Sequence, residues 1–514
     1  LVNSQTLGQM LQSSSQYYAN QEAVVSPGMK LTFKEYNILT NQLANYLLHN
    51  GVQKGDRVAY LVGINGAAPI SLMAIAKIGA IAVPLNFMWS KEMTEWALDH
   101  IDAKFVLYED RFAPLVKEKI LLDSIPSAQI VENHELSKRF LGELRTYSMD
   151  YPDIEVEPND PITIVFTSGT TGLPKGVVST HKAFIASAIK TSGTTENKPG
   201  DRFLLALPTF HISGIVIMLS QPLLKYTLVF LPQLDPKGLL DIMEQEKINL
   251  TFMPPTLLSI IVQMIEQSDY LLPSLDRFIS GGSKVPVRTI KNLEEMGFKV
   301  LEVYGATETN GIVSCWKPEF GYDSCHTVGK VYLYPEVKIL DRETRKELPI
   351  GQIGELAVSG DTIFQEYWKN PEATKEAFHE GYYLTGDAAK VDTDGFIEIV
   401  DRYKDVIYFS GFGGVYPSEV EKVIFEIEGI EEACVVGVQH PDFGEFPCAF
   451  VRVKEGMIID KSQILNHVHA QLERYKLGDV VLVKDPLPKI VTGKIDKGKL
   501  KAMFLERMKR MKQL

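Results

Sequence analysis

From Leu31 to about Val400 the chain repeats one pattern: a short apolar run, a longer amphipathic stretch, then another apolar run. Arg57-Val-Ala-Tyr-Leu-Val62 is followed by Ala68 to Ile78, and that by Ile81-Ala-Val-Pro84. Strands that are apolar at nearly every position have to be covered on both faces, and the helices between them are what covers them. The alternation therefore predicts an α/β fold, with a large N-terminal domain of mainly parallel sheets flanked by helices. After Asp401 the texture changes. Asp401-Arg-Tyr-Lys-Asp405 is a dense charge run, and Ser410 to Pro417 is rich in glycine and proline. Beyond it the pattern predicts a helix (Ser418 to Phe425), two strands (Ala433 to Val438, Cys448 to Lys454) and a helix (Lys461 to Tyr475). This is a small α+β C-terminal domain, and the boundary falls at residues 401 to 405, giving 1–401 and 402–514.

Composition removes several classes of function. Hydrophobic residues at 45% and charged residues at 23% are those of an ordinary globular protein. A net charge of -12 argues against a broad nucleic-acid surface, which needs a basic footprint. The basic residues that do cluster (Lys497, Lys499, Lys501, Arg507, Lys509, Arg510, Lys512) read first as the solvated face of a terminal helix. The sharper reading is weak contact with a membrane surface through Met503, Phe504, Leu505 and Met508. Cys315, Cys325, Cys434 and Cys448 form no CxxC pair and no disulfide framework, which fits the cytoplasm. Leu1 to Gln16 shows no signal-peptide pattern, and apolar stretches such as Ala67 to Ala76 and Ile215 to Leu224 are too short or interrupted to span a bilayer.

The strongest motif is Thr167-Ser-Gly-Thr-Thr-Gly-Leu-Pro-Lys-Gly176, directly after the apolar run Ile162 to Phe166. A strand feeding such a loop lets backbone N–H groups converge, hydroxyls donate to phosphate oxygens, and Lys175 add a positive charge. The spacing is not that of a P-loop. Further along stand Leu31-Thr-Phe33, Gly55-Asp-Arg-Val58, Tyr304-Gly-Ala-Thr-Glu308, Gly354-Glu355, Tyr367-Trp368 with Pro371-Glu-Ala-Thr374, Thr385-Gly-Asp387, Asp401-Arg402 with Lys404-Asp405, and Thr492-Gly-Lys494.

In this order and at these intervals the motifs resemble, over nearly the whole chain, the adenylate-forming superfamily of acyl-CoA synthetases, peptide-synthetase adenylation domains and beetle luciferases. The resemblance implies an enzyme that joins a carboxylic acid to AMP and passes the acyl group to coenzyme A, an AMP-forming acyl-CoA ligase using ATP, Mg²⁺ and CoA. It implies that Thr167, Ser168, Gly169, Thr170, Thr171 and Lys175 hold the β- and γ-phosphates. Thr307 then donates to the α-phosphate, and Glu308, a hard oxygen donor, is the Mg²⁺ ligand. Tyr304 stacks on adenine opposite Gly281, Gly282 and Ser283, Asp387 accepts the ribose hydroxyls, and Arg402 supports ribose or phosphate. Lys494 bridges the substrate carboxylate and the α-phosphate. Lys404 takes the hinge position about which a mobile C-terminal domain rotates between half-reactions.

Leu207-Pro-Thr-Phe-His-Ile-Ser-Gly214 resembles the segment lining the acyl pocket, with His211 where amino-acid-activating members carry an aspartate. An acid without an ammonium group is implied. The other expected lining positions (Gly214, Gly281, Gly282, Ala306, Val313) are small or apolar, and no lysine or arginine stands among them to bind a second carboxylate. A fatty acid is the leading expectation, an aryl acid the alternative. Ser410-Gly-Phe-Gly-Gly-Val-Tyr-Pro417 has glycines where the family has a Glu-Asn pair. That departure leaves a carrier-protein phosphopantetheine open as the acceptor, and a homodimer is open as well.

Overall fold

A computed structural model describes residues 5–511, apart from 168–172, 232, 234, 269, 334–335, 410–412, 441–443, 473–475 and 490–493. The apolar runs become strands buried on both faces: every residue of Ile81–Pro84 and of Phe105–Glu109 is buried. An eight-stranded sheet places Pro161–Thr167, Ile81–Pro84, Arg57–Leu61, Phe105–Glu109 and Ser127–Glu132 side by side and parallel, with antiparallel strands at both edges. A nine-stranded sheet is built the same way. Lys299–Ala306, Arg277–Gly281, Leu250–Phe252, Arg202–Leu205, Thr227–Phe230 and Glu22–Ser26 run parallel, and Gly311–Trp316 and Met29–Thr32 close the flanks antiparallel.

The two stretches too short for a bilayer are the most deeply buried helices. Every residue of Ala67–Lys77 is buried, and Ile215, Val216, Ile217, Met218 and Leu219 of the Ile212–Leu224 helix are each at most 5% exposed. Helices apolar all round belong inside a core, and these share one with side chains from both large sheets, including Val58, Tyr60, Leu228 and Leu301. Each fully buried aliphatic side chain contributes roughly 1.5–3 kcal/mol. Lys77 shows how this core tolerates a cation: its ammonium donates to Asn37 Oδ1, Thr40 Oγ1 and Asn41 Oδ1, each at 2.7 Å.

The chain divides into two compact units, 1–337 with 358–383, and 338–357 with 384–514. The second unit thus begins ahead of the charge run, because Ile397–Arg402 is tied by strand pairing to Tyr382–Val391 and by hydrogen bonds to the helix beyond the charge run. Ser418 N donates to Asp401 Oδ2 at 2.9 Å, at the start of that Pro417–Ile424 helix. Ile430–His440, Gly444–Val453 and Asp479–Val483 form the unit's three-stranded sheet, packed by Pro417–Ile424 and by Lys461–Gln471. The terminal helix Lys497–Met511 buries Leu500 and Phe504 against Phe446 and Phe450. Phe504, which a membrane-contact reading needs on the surface, is therefore used by the core at 2% exposure. Among the described residues no helix is long and apolar enough to cross a membrane. The four cysteines are buried free thiols.

Candidate active site

The Thr167–Gly176 motif joins two paired strands. Pro161–Thr167 pairs antiparallel with Lys175–Thr180, Thr167 standing opposite Lys175, and the Thr167 hydroxyl donates to the Lys175 carbonyl at 3.4 Å. Ser168, Gly169, Thr170 and Thr171 lie outside the described residues. The short strand Glu366–Tyr367 pairs with the other side of Lys175–Thr180, and this sets Tyr367 beside the loop's end. Lys175 Nζ lies 4.8 Å from the centroid of the Tyr367 ring. The Tyr367 phenol donates to Glu308 Oε1 at 2.9 Å. Burial and the facing Glu308 carboxylate push that phenol above its ordinary pKa, so it stays protonated as a donor.

Glu308 sits in the turn between Lys299–Ala306 and Gly311–Trp316, and the turn is held from several sides. Ala306 N donates to Thr309 Oγ1 at 3.0 Å, Asn310 Nδ2 to Thr362 O at 2.9 Å, and Phe364 N to Glu308 O at 2.9 Å. Asn310 takes the left-handed conformation, with φ 48°. Thr307 accepts a backbone bond from Asn310 at 3.1 Å and is half-buried in the same turn.

Gly281 ends one parallel strand and pairs with Val303 of the next, so the Gly282-Ser283 turn leaves the sheet beside Tyr304, which stays in its strand, and both positions lie at the strand ends. These are carboxyl ends of parallel strands, where open α/β sheets bind ligands. A β-carbon on Gly281 would stand 2.5 Å from the Val303 carbonyl, so only glycine fits there. Lys284 anchors this loop through Glu302 Oε2 at 2.9 Å and the Thr327 carbonyl at 2.6 Å. Burial raises the Glu302 carboxyl to about 7, against the lowering effect of Lys284.

His211 caps the Ile212–Leu224 helix. Ser213 N donates to His211 Nδ1 at 3.3 Å, which makes Nδ1 an acceptor and leaves the proton of the neutral ring on Nε2. The segment before it is fixed by Thr209 Oγ1 to Gly63 O at 3.2 Å and by Phe210, edge-on to Phe87 at 4.9 Å.

In the second unit Asp387 and Arg402 are directly cross-strand, with Arg402 Nε 3.0 Å from Asp387 Oδ1. Asp387 is buried at 3% exposure. Lys404 occupies the single turn Tyr403–Asp405. Lys494 keeps solvent access, but the protein around its ammonium and the charges of Arg402 and Lys404 lower its pKa while Asp387 opposes them. The pKa of Lys404 is lowered in turn by burial and by Arg402. Arg402, Lys404 and Lys494 thus act on one another beside the buried Asp387, with the Lys497–Asp405 pair next to Lys404, an excess of positive charge fitted to an anionic ligand.

Residues 11–368 match the family model described as AMP-binding enzyme, and residues 419–494 match that of the AMP-binding enzyme C-terminal domain. The chain belongs to the AMP-binding enzyme family. A putative acyl–CoA ligase of Bacillus subtilis is 35% identical over 484 residues, covering 93% of this chain and 95% of its own length. The long-chain-fatty-acid–CoA ligase FadD13 of Mycobacterium tuberculosis is 30% identical over 97% of this chain and 98% of its own. A feruloyl-CoA synthase of Amycolatopsis is 31% identical over 94% and 96%. ATP-bound MatB of Rhodopseudomonas palustris has the same fold at a TM-score of 0.88 and 28% identity, over 97% of this chain and 99% of that one.

This AMP-binding enzyme is an AMP-forming acid–thiol ligase of the acyl- or aryl-CoA type, working with ATP, Mg²⁺ and coenzyme A. Its residues fit a Mg²⁺ that travels with the nucleotide. Among the described residues no three His, Cys, Asp or Glu side chains gather into a metal cage. A single carboxylate such as Glu308, with phosphate oxygens and water completing the shell, is how this ion is commonly held. Tyr367, which touches both Lys175 and Glu308, is not among the candidate residues the sequence singled out. Its signal was the Tyr367-Trp368 pair, read only as a family landmark.

Proposed function

We propose that this AMP-binding enzyme activates an aliphatic acid of the fatty-acid type to its acyl-adenylate, releasing pyrophosphate, and then transfers the acyl group to the thiol of coenzyme A. The observation that carries the first half-reaction is the joining of Lys175, Tyr367 and Glu308 at the phosphate loop. A carboxylate attacking an α-phosphate brings two anions together, so fixed positive charge and aimed donors are the main requirement. In this reading Thr167, Ser168, Gly169, Thr170, Thr171 and Lys175 hold the β- and γ-phosphates, and Thr307 donates to the α-phosphate. Tyr304 and the Gly281–Ser283 loop clasp adenine, and Asp387 with Arg402 holds the ribose. Glu308 would hold Mg²⁺, whose charge offsets that of the leaving pyrophosphate. Lys494 spans the carboxylate and the α-phosphate, and the segment 402–514 then turns about Lys404 to admit the thiol.

The aliphatic reading rests on the apolar helix behind His211, in which Ile212, Ile215 and Val216 are buried, and on the 30% identity to a long-chain-fatty-acid–CoA ligase. The test is pyrophosphate release against short to long aliphatic acids, benzoate, ferulate and amino acids. Turnover confined to aryl acids would overturn the aliphatic assignment and leave the ligase standing.

Tyr367→Phe removes the phenol that orients Glu308. A hydrogen bond to a charged group is worth about 1.5–3 kcal/mol, so adenylate formation is expected to fall about tenfold and to need more Mg²⁺ for half-saturation. A Mg²⁺ titration of pyrophosphate release checks this. An unchanged curve would mean that Tyr367 does not act through Glu308.

A further inference from the structure

Lys190 stands on the inward face of the His181–Thr195 helix at 2% exposure, while the apolar Ile189 beside it is 36% exposed. A helix patterned only for packing would place these two the other way round. The ammonium of Lys77 has three side-chain oxygens at 2.7 Å. Lys190 Nζ is as deeply buried, and no described residue accepts a hydrogen bond from it. Burial without a neighbouring carboxylate draws its pKa down to about 7. Thr191 Oγ1 and Ser220 Oγ are buried and unpartnered as well. Buried polar groups without partners are costly, and a lysine and two hydroxyls in this state have one joint explanation in an acceptor carried by a bound ligand.

Their position says what that ligand is attached to. Ser187 Oγ donates to the Asn310 carbonyl, beside Glu308, at 2.5 Å. A β-carbon on Gly311 would meet Val216 at 3.3 Å and Ser187 Oγ at 3.6 Å. Helix 181–195, helix 212–224 and strand 311–316 therefore meet at the reacting end of the acyl segment. Lys190 and Thr191 follow Ser187 by three and four residues, and Ser220 follows Val216 by four, so they belong to the next layer of the same seam. That layer lies about 5 Å further from the Glu308 turn.

Resting on the reading that this enzyme activates an aliphatic acid, we propose that Lys190 recognises the far end of that acid. The preferred substrate carries a second carboxylate there, which accepts from Lys190 Nζ with the Thr191 and Ser220 hydroxyls beside it. An anionic acceptor is the group that satisfies all three at once, since the amine becomes a paired ammonium and both hydroxyls gain a partner. The small and apolar positions expected to line the pocket surround the reacting end, and this lysine waits a helical turn beyond them.

The test compares matched plain and ω-carboxylated acids (hexanoate with adipate, octanoate with suberate, decanoate with sebacate) in pyrophosphate release by the full chain and by Lys190→Met. The native chain is expected to prefer one dicarboxylate over its plain partner at least about tenfold in kcat/KM, mostly through KM. Lys190→Met should reverse that preference, and Lys190→Gln, which keeps a donor, should narrow it. A native preference for the plain acids, with a ratio that neither variant changes, would overturn the proposal. Release with aryl acids alone would instead remove the aliphatic reading on which it rests.

Discussion

Lys494→Ala is expected to lower adenylate formation by about 10²–10³-fold, the effect of removing one preorganised charge-stabilising donor. Thiol transfer from supplied acyl-adenylate should stay within about threefold of the native rate, because in that step the two anions no longer have to meet. The surroundings of Lys494 support this division. Burial, with Arg402 and Lys404, lowers its pKa while Asp387 opposes them, so an anion entering beside it favours the charged form. Separate assays of the two half-reactions decide the point. Equal loss in both would mean that Lys494 supports the fold or the nucleotide generally, not the approach of the carboxylate.

Lys404→Pro is expected to divide the reaction the other way. A hinge absorbs large backbone rotations at one or a few residues, and proline pins φ near -65° while restricting the residue before it. Thioester formation should fall at least about a hundredfold, with adenylate formation within about threefold. A turn about Lys404 also has to break contacts that cross it, including Ser418 N to Asp401 Oδ2 at 2.9 Å. Lys404→Ala keeps the backbone free and should keep both half-reactions, which separates a hinge from a chemical role. Full thioester formation by Lys404→Pro would refute rotation at this position.

Local pattern carried the fold a long way. Ile81–Pro84 is a strand with the expected ends, and Ala67–Lys77 and Pro417–Ile424 are helices displaced by about one residue from expectation. Runs that are apolar at every position allow one burial, and so they can be read without neighbours. The extent of the second unit could not be read this way. Residues 338–357 and 384–401 join it through pairings such as Asp387 with Arg402, and strand register is a property of two distant segments. The same holds for single residues. Tyr367 matters because an edge strand carries it to Glu308, and Lys190 because its helix turns a lysine inward and an isoleucine outward. Hydrophobic periodicity predicts the opposite for that pair, so the inward lysine is legible only in the structure.

Acyl transfer through an adenylate to coenzyme A is tested most directly by one comparison: pyrophosphate release from the preferred acid and ATP, with and without the thiol. The expected result is about one equivalent of pyrophosphate per enzyme without coenzyme A, and sustained release matched by acyl-CoA once it is added. A single burst that coenzyme A leaves unchanged, with no thioester formed, would contradict that chemistry and point to a carrier-protein phosphopantetheine as the acceptor.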